Sequence, residues 1–505
     1  LGWIAVERGR DAELGLMAMR GILWLIWRLS MIVYEIEPTQ TDYLLQEDIK
    51  VKLRIENQGT EMVEVPDPRR AANSQPVYGL AGPAVEQPMM FSNWTRHGDG
   101  EAPPLEMMPV GPGETWTGES RLNRLVRIER TGEYRLGSML AWQNERVRAA
   151  DRTFRLHRPD PVSLHIGQGE RPFQHGQGQI VFLQRETGAT GLYAIQFTES
   201  DPSNNEVEMQ ATMRRATAGA NATDVLCPWT NTQLFDDLLQ WIVWREGRTL
   251  RALSSAEKTA SSYDFPVEPD SLVRPPLQAK GGPVEVLAVK GKSLTMVSIA
   301  PKLGSSPALA WSAELPAAPT AITAALGSVA GGSARHIAFA VRQGSGTELF
   351  HGEYAAEGLG AVERLALPDV DMWDGAPLTM VIGGDGVAHV AMFGRRDGGK
   401  GLTLVEARFA KGKAAEVTRR ELPEMEKAPR EGAILLVMED GAIVRREIVV
   451  AADGDVWNLS RSGKFLQLAP RRDFVSPVRV VPGLELSYVL YQNAAGAIQF
   501  EALHR

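Results

Sequence analysis

The chain is predicted to be all-β: a β-sandwich over residues 31–158, then a β-propeller over residues 162–505 with seven blades as the expected number. Three observations lead there. Ile49-Lys-Val51-Lys-Leu53-Arg-Ile55 alternates strictly between apolar and charged residues, the pattern of a strand with one buried face. After Pro161, a phrase of two short apolar-rich segments around a Gly-rich turn recurs about seven times. The 49 Gly and 31 Pro supply the turns such a chain needs, and 505 residues exceed what one compact core holds.

Composition narrows the function classes. Hydrophobic residues make up 44% and charged residues 23%, the balance of an ordinary soluble globular protein. The net charge of −8 argues against nucleic-acid binding, which needs a surface that neutralises phosphate. A single cysteine, Cys227, excludes an intrachain disulfide framework and a Cys-rich zinc site, and reads as a small buried hydrophobe.

Residues 1–30 stand apart. Leu14–Val33 is apolar but broken by Arg20 and Arg28, and its clean run falls short of the ~20 residues a membrane span requires. Three readings remain open: a start-site artefact with Met31 as the true start, a signal or anchor, or an N-terminal helix. The first places the protein in the bacterial cytoplasm, the second in the cell envelope or outside the cell.

In the sandwich, Asn57-Gln-Gly59 turns the chain after the alternating strand. Thr131-Gly-Glu-Tyr134-Arg-Leu136 then leads into Ser138–Trp142, and a polar turn returns through Val147–Leu156. A Tyr just inside a penultimate strand after a Gly turn resembles the tyrosine corner of immunoglobulin-like sandwiches, and the Asn-x-Gly turn is similar to bacterial Ig-like modules. The resemblance implies a spacer or binding domain without chemistry of its own. The Asn73–Gly113 stretch reads as a long loop covering an edge or reaching the next domain. Arg121, Arg124, Arg127 and Arg130 read as a solvated edge balanced by nearby Glu. Arg158-Pro-Asp-Pro161 marks the boundary.

Seven hairpins follow: Gln179–Leu183 with Gly191–Phe197, Gln240–Trp244 with Arg248–Leu253, Pro283–Val289 with Ser293–Ile299, and His336–Ala340 with Thr347–Tyr354. Val390–Phe393 with Leu402–Phe409, Arg446–Ala451 with Asp455–Leu459, and Leu486–Gln492 with Ala497–Ala502 complete the series. Their spacing of about fifty residues suits four-stranded blades. The last unit lacks an outer strand, so Val162–Ile166 is expected to complete it and close the ring. Leu234, Phe235, Leu238, Leu239, Trp241 and Ile242 also fit helical spacing, so a helix in the second blade is one reading.

Gly384-Asp-Gly-Val-Ala-His389-Val-Ala-Met-Phe393 resembles the D-x-x-G-x-x-H-V-x-Y phrase of bacterial β-propeller repeats, with Ser333–Phe339 a weaker relative. That resemblance bears on fold alone. His336 and His389 occupy equivalent repeat positions, with His351 on a neighbouring strand. Together with Trp457 they are the candidate binding residues, although a packing role for the histidines has the stronger argument because no carboxylate recurs with them as a metal ligand set demands. His165 and His175 sit in a Gly/Gln-rich turn. Asp453-Gly-Asp455-Val-Trp457 resembles an Asp-box turn but lacks the D-x-G-x-x-W spacing. No phosphate-binding, dinucleotide, nucleophile-elbow or H-E-x-x-H motif is present. No catalytic residue, metal or cofactor is therefore assigned.

The expectation is a non-catalytic binding or scaffolding protein whose propeller face holds a protein or glycan partner, with no nucleic acid and no defined membrane span. The alternative is a carbohydrate-active hydrolase or lyase at the propeller mouth, which would need paired carboxylates.

Overall fold

The computed structural model describes the chain from residue 32 to residue 503, except residues 69–75, 84, 92–105, 127, 129, 143–144, 168–176, 202–205, 210–211, 228, 235–236, 255–256, 274–282, 301, 303, 330–331, 397–400, 423–430, 440–441, 453–454, 460–464, 469–474, 483–486 and 493–496. The expectations for residues 1–31, Asp453 and His175 lie outside the described residues. The chain divides into two compact units, Leu1–Pro159 and Asp160–Arg505. Among the described residues it is all strand and turn, apart from one 3-10 turn at Leu122–Arg124. None of these residues forms a helix long and apolar enough to cross a membrane.

The first unit sets a three-stranded antiparallel sheet (Ile32–Pro38, Lys50–Asn57, Thr115–Arg121) against a larger one. The larger sheet runs in the order Asp42–Leu44, Arg152–His157, Gly132–Trp142, Val77–Gly82, Val85–Phe91, with Glu145–Arg148 added to Gly132–Trp142. The alternating strand behaves as its pattern dictates: Val51, Leu53 and Ile55 are buried and the charged residues between them are not. Tyr34 and Ser138 join the sheets through a 2.8 Å bond between their hydroxyls. Tyr134 donates from its hydroxyl to the Arg130 carbonyl at 2.7 Å, and its ring stacks on Phe154 at 5.6 Å.

The stretch read as a long loop needs correction. Asn73–Gly113 contains Val77–Gly82, Val85–Phe91 and Met107–Val110, the first two in the larger sheet and the third paired with Val63–Pro66. Pro and Met obscure the strand pattern there. Buried Asn57 anchors that pairing, giving its amide N–H groups to the Glu61 and Val110 carbonyls at 2.7 and 2.8 Å.

The second unit contains, among the described residues, seven antiparallel sheets in chain order. Sheets three, four and six are four-stranded meanders, and sheets one, two and five add a fifth strand. All seven hairpins expected from the repeats are present, each as a neighbouring pair within one sheet. Successive sheets stack face to face, as β-propeller blades do. Ala388, Val390 and Met392 pack with Ala338, Ala340 and Leu349 of the fourth sheet. Ala391, Phe393, Leu402 and Leu404 pack with Ile434, Ile448 and Val450 of the sixth. A strand buried on both faces reads as a nearly continuous apolar run, and each buried Val, Leu, Ile, Phe or Met contributes about 1.5–3 kcal/mol. The approach is close enough that a Cβ on Gly327 would fall 2.3 Å from Cγ2 of Ile382.

Two further expectations fail. Pro161–Gly167 pairs with Gln177–Glu186 inside the first sheet and does not complete the last one. Pairing with its sequence neighbour closes a short loop, which costs far less chain entropy than recruitment across the unit. The segment with helical spacing is two strands, Trp229–Leu234 and Asp237–Glu246. Its apolar residues are consecutive because Ile242 and Trp244 face the first sheet while Trp241 and Val243 face the third.

Candidate functional site

The predicted histidines sit on the second and third strands of the fourth and fifth sheets. His336 shares a face of Gly332–Gln343 with Ala338 and Ala340, which pack toward the fifth sheet. His336 Nδ1 lies 2.9 Å from His351 Nε2 on the adjacent strand, and the His351 ring stacks on Phe409 of the fifth sheet at 4.6 Å. Both are buried, at 2% and 7% exposure. Burial lowers the His336 pKa, opposed in part by the charge of Glu353. Burial, then the His336 charge, takes His351 down to about 4. Two neutral imidazoles sharing one proton suit such a layer.

His389 follows the same rule one sheet later. It lies on the strand face of Ala391 and Phe393, which belongs to the layer between the fifth and sixth sheets. Half-buried Trp457 packs against that same layer. The four candidate residues are thus divided between two layers on opposite faces of the fifth sheet, and His336 and His389 do not converge on one ligand. Among the described residues no group of three His, Cys, Asp or Glu side chains could hold a metal.

A second polar group lies on the other face of the fourth sheet. Arg335 Nε donates to Glu285 Oε2 of the third sheet at 2.8 Å. Glu285 is 3% exposed and is the single buried carboxylate among the residues of this unit whose side chains are described. Burial raises its pKa against the opposing Arg335 charge. The buried Tyr354 hydroxyl meets no protein donor or acceptor. Burial first, then the Glu285 charge, pushes its pKa well up. One carboxylate tied to one guanidinium between two sheets is a bridge; glycoside hydrolysis asks for a pair.

Sequence reasoning missed the opposite end of the sheets. In several of them a central strand carries a basic residue at its last or last-but-one position before a turn: Arg245, Lys290, Arg342 and Arg395-Arg396. Gly291 and Gly344 open two of those turns at φ +53° and +58°, left-handed values that favour Gly. Each basic end meets an Asp beside the first strand of a sheet. Arg245 grips Asp224 at 2.8 and 2.7 Å, and Lys290 holds Asp270 at 2.6 Å. Lys290 and the Gly291 N–H lower the Asp270 pKa. Arg342 binds Asp371 through Nε and Nη2 at 2.5 and 2.6 Å and Asp374 through Nη1 at 3.0 Å. Arg396 and Arg419 share Asp369, at 3.3 and 3.2 Å. The Arg-x-Gly spacing of Arg245-Glu-Gly247, Arg342-Gln-Gly344 and Arg396-Asp-Gly398, with Lys290-Gly291 one residue shorter, was a usable signal in the sequence.

Arg395 differs from the others. Its guanidinium carbon lies 3.9 Å above the ring of Trp373, a cation–π contact. The Trp373 N–H is tied to the Phe393 carbonyl at 3.2 Å, and its own carbonyl accepts from Ala376 at 3.1 Å. Trp373 is half-buried at the margin of the layer between the fifth and sixth sheets, and Arg395 is exposed. Among the described residues no carboxylate pairs with Arg395.

No protein-family model matches the chain, and no curated protein matches it. Solved structures similar to it include hydrazine synthase from Kuenenia stuttgartiensis, at 10% identity over 68% of this chain and 96% of that one, with a TM-score of 0.41. The Cps50 (Swd1) β-propeller domain of Myceliophteria thermophila is 9% identical over 68% and 98%, with a TM-score of 0.41. The Nup133 β-propeller domain of Vanderwaltozyma polyspora is 9% identical over 67% and 93%, with a TM-score of 0.39. The propeller assignment here rests on the strand order and stacked sheets.

Proposed function

We propose that the protein is a non-catalytic binding or scaffolding protein that holds a protein partner on the rim carrying Arg245, Lys290, Arg342 and Arg395. In this reading the sheets form a seven-bladed ring, and the first unit is an Ig-like spacer or second contact, a view the Tyr134–Arg130 bond supports. The observation that carries the reading is the Trp373–Arg395 contact, 3.9 Å from guanidinium carbon to ring centre, with Arg395 exposed and Trp373 half-buried. Trp and Arg are the residue types enriched at protein interfaces, and both are anchored here by strand backbone. The buried histidines and the Glu285–Arg335 bridge then serve packing.

The test places a photo-crosslinking amino acid at Asp374 on the rim, or at Arg420 on the Glu416–Leu422 strand, in the source cells. Saturable crosslinks to one protein from position 374, lost with Trp373→Ala and absent from position 420, are expected. Equal labelling from both positions, or a glycan array bound independently of Trp373, overturns the reading.

A further inference from the structure

We infer that the Arg395 guanidinium is a preorganised receptor for a carboxylate of the partner, a Glu or Asp flanked by an aromatic or aliphatic residue in an extended segment. The inference rests on the binding reading above and names the chemistry of that site. Arg342, Arg396 and Arg419 are each occupied by an aspartate of the chain itself. Arg395 instead has its guanidinium carbon 3.9 Å from the centre of the Trp373 ring, and among the described residues it forms no ion pair, Asp371 across the strand pair being held by Arg342.

Stacking settles which ligand fits. The ring occupies one side of the guanidinium, and the donors of its planar fork that point away from the indole are what a ligand can reach. That fork matches the two oxygens of a carboxylate. The strand holding Arg395 is registered against Asp371, and the Trp373 backbone is bonded to Phe393. Little ordering is therefore left for binding to impose. Asp371 and Asp374 stand beside the site. Their charge penalises a phosphate dianion more than a single carboxylate. The half-exposed indole offers apolar surface to the residue next to the acid.

A library of nonapeptides with Glu, Gln or phosphoserine fixed at the centre and randomised flanks is screened against the intact, labelled chain. The best binder of each class is titrated by fluorescence anisotropy. The Glu-centred peptide is expected to bind at least about tenfold more tightly than its Gln or phosphoserine counterpart. Arg395→Gln and Trp373→Leu should each lose about tenfold, and Arg395→Lys nearly as much, because charge survives and the planar fork does not. Arg396→Gln, whose partner is Asp369, should stay within about twofold.

Retained affinity in Arg395→Gln, or equal binding of Gln or phosphoserine peptides, overturns the carboxylate inference. If that happens while Trp373→Leu still abolishes binding, the rim remains the partner surface and only its chemistry was misassigned. Absence of any binder in all three classes overturns both. Thermal melts within a degree or two of wild type exclude misfolding as the cause of a loss.

Discussion

His336 and His351 share a hydrogen bond of 2.9 Å inside the layer between the fourth and fifth sheets, and Phe409 closes over His351 at 4.6 Å. The contact joins neighbouring strands of one sheet and, through Phe409, the sheet that follows. It also places two bases where charge is expensive.

Acid should therefore loosen this layer. His351 has its pKa lowered to about 4, so between that value and the ordinary histidine range the unfolded chain binds more protons than the folded one. Stability is full above pH ~6.5 and falls as the pH drops toward 4, by about 3 kcal/mol from this residue. Glu353, the charged group nearest His336 in effect, works in the opposite direction on that ring. Glu285 also opposes the trend, since a carboxyl with a raised pKa stabilises the fold as it gains its proton. Urea unfolding of wild type and His351→Phe at pH 7 and pH 4.5 checks this. The Phe variant, which keeps the stacking, should show a smaller difference between the two pH values.

The Glu285–Arg335 bridge makes a second prediction. Arg335→Met leaves a carboxylate that is 3% exposed without its cation. The cost should be about 3 kcal/mol at pH 7 and smaller at pH 4.5, where Glu285 takes up a proton. Glu285→Gln with Arg335→Met should recover at least half of the loss, because no charge is then buried. Chemical denaturation of the two variants measures both effects, and equal stability of single and double variants would contradict the argument.

Gly327 of the fourth sheet and Ile382 of the fifth approach so closely that a Cβ at position 327 would fall 2.3 Å from Cγ2 of Ile382. Gly327→Ala should cost about 1–3 kcal/mol through overpacking. Adding Ile382→Ala should restore part of it by removing the clashing branch. Thermal unfolding of the single and double variants reads the coupling directly.

The hairpins were legible in the sequence because each pairs segments only a few residues apart. Gly291 and Gly344 opened turns whose flanking apolar runs were visible, and Val51, Leu53 and Ile55 announced their buried face by alternation. The strand at Asp237–Glu246 was ambiguous because burial of Trp241 to Trp244 on two faces removes alternation. Pro and Met hid the strands within Asn73–Gly113. His336 and His389 were read as repeat equivalents, and the faces of their strands belong to layers on opposite sides of the fifth sheet, which keeps them apart.

What the amino-acid order alone determined was the all-β character, the local pairs and the repetition, because turn chemistry and period-two hydrophobicity act over a few residues. Tertiary structure decided that Pro161–Gly167 belongs to the first sheet, and that His351 lies under Phe409. It also decided that Arg396 is bound to Asp369 while its neighbour Arg395 rests on Trp373. Adjacent residues of one strand point to opposite faces, so two arginines side by side in the chain met different surroundings, and only the stacking of the sheets set what those surroundings were.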